Sequence, residues 1–197
     1  MNYRKQIEDF LKKSGGIITA AYCREQKIPT IYLSRFVKKG ILSKVDKGIY
    51  ASEDGNYDEL YFFQYRYRKS IYSYETSLYL LGVIDKIPQI YDVTVNNGYK
   101  FNSEKPGINI HYVKDEIFDL GVIEINTMFN NPVRVYSYER TLCDFISHKK
   151  DMDIEVYVKI LRSYLNYKNK NLDVLHTIAQ KMGVDKKVRE IMEVLYE

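Results

Sequence analysis

The sequence has no tryptophan, two cysteines and three histidines in 197 residues, and no long apolar run. No stretch approaches the roughly 18 apolar residues needed to span a bilayer. The first residues, Met1-Asn2-Tyr3-Arg4-Lys5, lead into an amphipathic segment, not into the apolar core of a signal peptide. A soluble, cytoplasmic protein without a membrane partner is expected. Cys23 and Cys143 lie far apart and neither belongs to a Cys-x-x-Cys pair. That excludes a disulfide scaffold and a cysteine-rich zinc site. His111, His148 and His176 are scattered, with no metal-ligand spacing. The phosphate-binding, dinucleotide-binding, serine-hydrolase and zinc-protease signatures are all missing, as is a close acidic pair of the two-metal kind. No catalytic, metal or cofactor site is expected, and the protein is read as not an enzyme.

What is present is an ordinary globular balance, 45% hydrophobic and 28% charged. The 20 tyrosines accompany abundant lysine, asparagine and isoleucine, a bias of AT-rich genomes, and so carry little functional weight. The net charge of +4 is unevenly spread. Residues 1–51 hold eleven basic and four acidic side chains, a net +7, and the remainder carries −3. A basic end on a slightly acidic body is the asymmetry expected when that end meets a polyanion.

The first fifty residues have a readable order. Ile7, Phe10 and Leu11 make residues 3–13 an amphipathic helix, and Ser14-Gly15-Gly16 stops it. Ile17-Ile18 reads as a short apolar link. Thr19 can cap a second helix running to about Glu25. After the Lys27-Ile28-Pro29 turn, a third helix runs from Thr30 to Lys39, closed by Gly40 as a left-handed cap. Two short strands around Asp46-Lys47-Gly48 make a hairpin. Three helices and a hairpin are the order of a winged helix-turn-helix.

At about 100° per residue, Leu33, Phe36 and Val37 share one side of the third helix, with Tyr32 at its border. Thr30, Ser34 and Lys38 lie opposite, flanked by Ile31, Arg35 and Lys39. The second face would be free to enter a major groove. Arg35 and Lys38 suit guanine edges or phosphates. Ile31 suits either a thymine methyl or the border of the core. Arg24, Lys27, Lys44 and Lys47 suit phosphates, the last two from the wing. Winged helices also serve as protein–protein modules, but the clustered charge favours DNA.

Ser52-Glu53-Asp54-Gly55-Asn56 reads as a boundary, which gives a DNA-binding domain over 1–52 and a second domain over 53–197. The second begins with a tyrosine-rich helix over 57–68, with Leu60, Phe63 and Tyr67 on one side. A helix over 74–81 follows. Strands are expected at 90–95, 108–113, 122–126 and 133–136, and helices near 138–149, 153–166 and 171–195, the last broken at Gly183. The fold class is α+β, with a small, mainly antiparallel sheet flanked by helices and one wet face at Ile108-Asn109-Ile110-His111-Tyr112. Residues 71–78 and 135–142 echo each other, each a strand end, a serine N-cap and a helix start with glutamate in the first turn. Arg140 and Asp144 are four residues apart and can pair on one face. Asp151 and Asp153 read as N-caps, Cys143 as a core residue, and His148 as a helix end.

These segments together resemble the AbiEi family of antitoxins, the regulator half of type IV toxin–antitoxin and phage-abortive-infection systems. The likeness runs through Gly40–Tyr50, Ile71–Gly82, Asp92–Val95 and Val133–Asp144, nearly the whole chain. Its most specific element is Glu139-Arg140-Thr141-Leu142-Cys143-Asp144. The resemblance implies that the N-terminal domain binds inverted-repeat operator DNA and represses its own operon. It implies that the C-terminal domain carries most of the antitoxin activity, against a nucleotidyltransferase-like toxin and without a stable complex with it. Glu139-Arg140-Thr141 is carried over as a fold signature, not as a catalytic group. Three rivals stand beside this reading. One is a winged-helix repressor without a toxin partner. Another is a nucleic-acid enzyme that uses the winged helix for targeting. The third is a protein that binds its toxin directly.

Overall fold

The computed structural model describes residues 2–101, 106–149 and 154–196. They form two compact units, residues 1–68 with 126–133 and residues 69–125 with 134–197.

The first unit opens with helix α1, Tyr3–Lys13, which buries Ile7 and Leu11 on one stripe. Gly16 lets the chain turn after it. Its φ is +82°, and a Cβ there would lie 2.4 Å from the Ser52 hydroxyl oxygen and 2.7 Å from the Gly55 Cα. Ile17-Ile18, read as a link, is strand β1, Ile17–Thr19. It pairs antiparallel with β3, Ile49–Ala51, and β3 also pairs with β2, Ser43–Asp46, giving the order β1-β3-β2. A three-residue strand buried on both faces shows no alternation, so its pairing was hidden in the sequence. Successive side chains of a strand point to opposite faces. Ile18 therefore joins a core of Ile7, Leu11, Cys23, Ile28, Leu33, Phe36 and Leu42, while Ile17 joins Ile49 and Phe62 on the other side.

Thr19 caps α2, Ala20–Glu25, its hydroxyl accepting from the Tyr22 amide at 3.1 Å. Helix α3, Ile31–Lys38, follows the turn, and Gly40 leaves it at φ +68°. Helix α4, Glu59–Arg66, covers the Ile17–Ile49 face of the wing sheet. It buries Phe62 and Gln64, whereas Leu60, Phe63 and Tyr67, which share one side, are only half-buried. The sheet packed against α4 chooses the face, and that sheet is distant in sequence. Asp58 starts α4, its Oδ1 accepting from the Tyr61 amide at 3.1 Å. Its Oδ2 accepts from the Thr127 hydroxyl at 2.5 Å and the Asn131 side-chain amide at 2.9 Å. This buried carboxylate ties residues 126–133 into the first unit.

The second unit is a five-stranded sheet with helices. Its strands are β4 (Ile71–Tyr72), β5 (Tyr91–Asn96), β6 (Ile108–Val113), β7 (Val122–Asn126) and β8 (Pro132–Tyr136), in the order β6-β5-β4-β8-β7. The sheet is mixed where a mainly antiparallel one is expected. β4 and β5 are antiparallel, but β5–β6 and β4–β8 are parallel. Parallel neighbours need long connections, and a turn signal such as Asn97-Gly98 does not distinguish a hairpin from the start of a crossover. On the edge strand β6 the alternation holds at Ile108-Asn109-Ile110 and fails at Tyr112, which is 51% exposed.

Helices α5 (Tyr74–Leu80), α6 (Asp115–Phe118), α7 (Tyr138–Ser147), α8 (Ile154–Leu165), α9 (Leu172–Met182) and α10 (Asp185–Tyr196) complete the unit. Their core includes Leu78, Tyr138, Leu142, Phe145, Ile160, Tyr164, Leu175 and Ile178. Gly183, in the left-handed region, separates α9 from α10. The two echoing segments lie side by side. Tyr72 pairs with Val135, and the Ser77 and Thr141 hydroxyls, equivalent positions in the echo, are 2.7 Å apart. Their caps differ. Ser137 accepts from the Arg140 amide at 3.3 Å. Ser73 makes no such bond, and among the described residues its buried hydroxyl has no partner. No described helix is long and apolar enough to cross a membrane. Asp151 and Asp153 lie outside the described residues.

Candidate nucleic-acid interface

The third helix divides by face. Leu33 and Phe36 are buried, and Tyr32 and Val37 are half-buried. Ile31, Ser34, Arg35 and Lys38 are exposed, as are Thr30 before the helix and Lys39 after it. Ile31 is 53% exposed, which places it outside the core. Thr30 has helical backbone angles and makes no side-chain cap bond. The Arg35 guanidinium sits 5.2 Å from the Tyr32 ring centroid, a cation–π contact that steadies the side chain without occupying its N–H donors.

The remaining basic positions flank this helix. Arg24 stands in the last turn of α2, and Lys27 in the connecting turn at φ +56°. Lys44 is on β2 opposite Tyr50, and Lys47 is in the wing turn. All four are exposed. The module's Cys23 thiol is buried, and that burial pushes its pKa up to about 11.

Helix α4, read from the sequence as part of the body, buttresses the wing. A Cβ on Gly48 would lie 3.1 Å from the Tyr65 hydroxyl oxygen. Arg66 Nη1 lies 3.6 Å from the Asp46 Oδ2 in the wing turn, and the Arg68 guanidinium is 4.8 Å from the Tyr65 ring centroid. The only sequence signal for this was the basic spacing Arg66-x-Arg68, and nothing local ties it to a turn twenty residues earlier.

Residues 5–52 match the transcriptional-regulator, AbiEi-antitoxin family. The AbiEi match runs from α1 to the end of the wing and stops before α4. Its description joins two roles, transcriptional regulator and antitoxin. No curated protein matches the chain.

The second unit holds the Glu139–Asp144 segment, and each of its polar side chains has a bonded partner. Arg140 and Asp144 pair through Nε, at 3.1 and 3.2 Å from the two carboxylate oxygens. Arg140 Nη1 donates to the carbonyls of Ile117 and of Leu120, and the guanidinium lies 4.1 Å from the Tyr136 ring centroid. Glu139 accepts from the Tyr164 hydroxyl at 3.2 Å and the Asn171 amide at 3.0 Å. Burial raises the Asp144 pKa and Arg140 draws it back. The Cys143 thiol is pushed up to about 12 by burial. These contacts join α7 to β8, to α6 and the residues after it, to α8 and to the start of α9.

A second polar seam runs through Tyr74. Its ring stacks on His111 at 4.1 Å, and its hydroxyl is 3.1 Å from His148 Nδ1. His111 Nε2 is 2.8 Å from Asp92 Oδ1, which also accepts from Asn109. Among the described residues, no group of three His, Cys, Asp or Glu side chains converges as a metal site.

Proposed function

We propose that this chain is a cytoplasmic DNA-binding antitoxin. It represses its own operon through inverted repeats and counteracts a nucleotidyltransferase-like toxin without a stable complex, within a type IV, phage-abortive system. The observation that carries the reading is the exposed basic face of α3, with its flanking lysines and arginines, on a module that matches AbiEi regulators. Residues 1–52 carry the DNA reading, and 53–197 carry the antitoxin activity. Ser34, Arg35 and Lys38 read bases, with Thr30 and Ile31 at the groove. Arg24, Lys27, Lys39, Lys44 and Lys47 neutralise phosphates and release counterions. Two copies on an inverted repeat match the two-fold symmetry of the duplex.

The test uses the full chain with Arg35→Ala and Lys38→Ala. Each base-reading loss costs about 1–3 kcal/mol of operator affinity. The double variant is therefore expected to release the operon in a reporter assay while still rescuing cells that express the neighbouring toxin gene. Unchanged operator affinity would refute the docking of α3. Failure of the folded wild type to rescue would leave a winged-helix repressor without a toxin partner as the better account.

A further inference from the structure

The wing turn carries one charge of the wrong sign for a DNA contact. Asp46 sits between Lys44 and Lys47, and its Oδ1 accepts from the Lys47 amide at 2.6 Å, so the carboxylate is held on the turn. At about 0.1 M salt, charges interact over roughly 10 Å. An uncancelled carboxylate there would oppose any approach of the turn to a phosphate backbone.

Helix α4 brings the cancelling charge. Phe62 anchors it against Ile17 and Ile49 of the wing sheet, and the Tyr65 hydroxyl closes on Gly48. The last turn then places Arg66 3.6 Å from Asp46, with 61% of its side chain exposed. Arg68 is also exposed, its guanidinium over the Tyr65 ring. An exposed pair of this kind contributes little to stability. Its consequence is electrostatic: the Arg66 guanidinium stands beside a turn that alone sets two lysines against one aspartate.

We propose that the nucleic-acid interface continues past the wing onto the end of α4, where Arg66 cancels Asp46 and contacts a phosphate of duplex DNA. The proposal rests on the DNA-binding reading above and adds to it a residue outside the matched segment. Arg66 is a phosphate-binding residue with no role in choosing bases.

The experiment measures binding of the full chain to two duplexes across a salt series. One is the sequence immediately upstream of its own reading frame, and the other is an alternating A·T duplex of equal length. Arg66→Ala is expected to weaken both alike and to lower the slope of log affinity against log salt by about one. The wild type's advantage over it then shrinks about 3–4-fold between 50 and 200 mM salt. Arg66→Lys restores the slope, which separates lost charge from lost fold. Adding Asp46→Asn to Arg66→Ala recovers part of the affinity and leaves the slope low. The inference is overturned if the wild type binds and Arg66→Ala matches it in affinity and slope. If the wild type binds neither duplex, the DNA-binding reading itself fails.

Discussion

Arg140 shows what a single residue costs and contributes here. Its side chain is fully buried, and its charge is balanced by Asp144 and two backbone carbonyls. Removing one partner of such a pair strands the other charge in the interior, at about 3–5 kcal/mol. Arg140→Ala is therefore expected to lose that much stability in urea unfolding. If the loss is under 1 kcal/mol, the pair is not the anchor described here. Gly121 reinforces the point. At φ +75°, a Cβ there would lie 2.6 Å from the Arg140 Cβ. The i, i+4 spacing of Arg140 and Asp144 was legible, and the pair forms as read. Its depth was not, because the carbonyls that receive the guanidinium come from residues 117 and 120, a separate part of the chain.

Among the elements, α4 departs furthest from local reading. The buried Phe62 packs on Ile17 and Ile49, so α4 belongs to the wing in packing, although it follows the wing in sequence. Phe62→Ala is expected to cost about 3–5 kcal/mol and to loosen the wing together with it. Calorimetry on the full chain checks the first part, and protease cleavage within residues 43–51 checks the second. A stability within 1 kcal/mol of wild type would mean that α4 merely rests on the sheet. Elements whose signals are local were read well. Thr19 and Ser137 cap their helices, Gly40 and Gly183 end theirs, and the strands 108–113 and 122–126 fall where expected. The short strands β1 and β4 were read only as an apolar link and a strand end, because two or three buried residues show no period. Ser73 has the sequence of a cap and does not act as one. Tyr74 after it sits at φ +46°, outside the usual first-turn geometry.

For the molecule as a whole, the buried ionisable groups fix the response to alkali. Burial raises both thiols, Cys23 to about 11 and Cys143 to about 12, and raises the hydroxyls of Tyr74, Tyr136, Tyr138 and Tyr164. Groups whose folded pKa is raised stabilise fully below the unfolded value and lose that contribution as pH climbs toward the folded value. Stability is therefore expected to be level to about pH 8.5 and then to fall. Each group that ionises only on unfolding adds about 1.4 kcal/mol per pH unit to the decline. Urea midpoints at pH 7.5, 9 and 10 measure it, and a level profile would contradict the burial of these groups. Both thiols should also resist a thiol reagent at pH 8 until the protein is unfolded.

The sequence by itself determined most of the helices, several of their caps, the winged order of the first fifty residues and the concentration of positive charge there. Those properties arise from near neighbours, from side-chain period, and from counting. Only the tertiary structure decided that β5–β6 and β4–β8 run parallel, that residues 126–133 complete the first unit through Asp58, and that α4 brings Arg66 to the wing. Each of these joins segments far apart in the chain. Which distant partner fills a face depends on the packing of all the others, and no local pattern of residues carries that information.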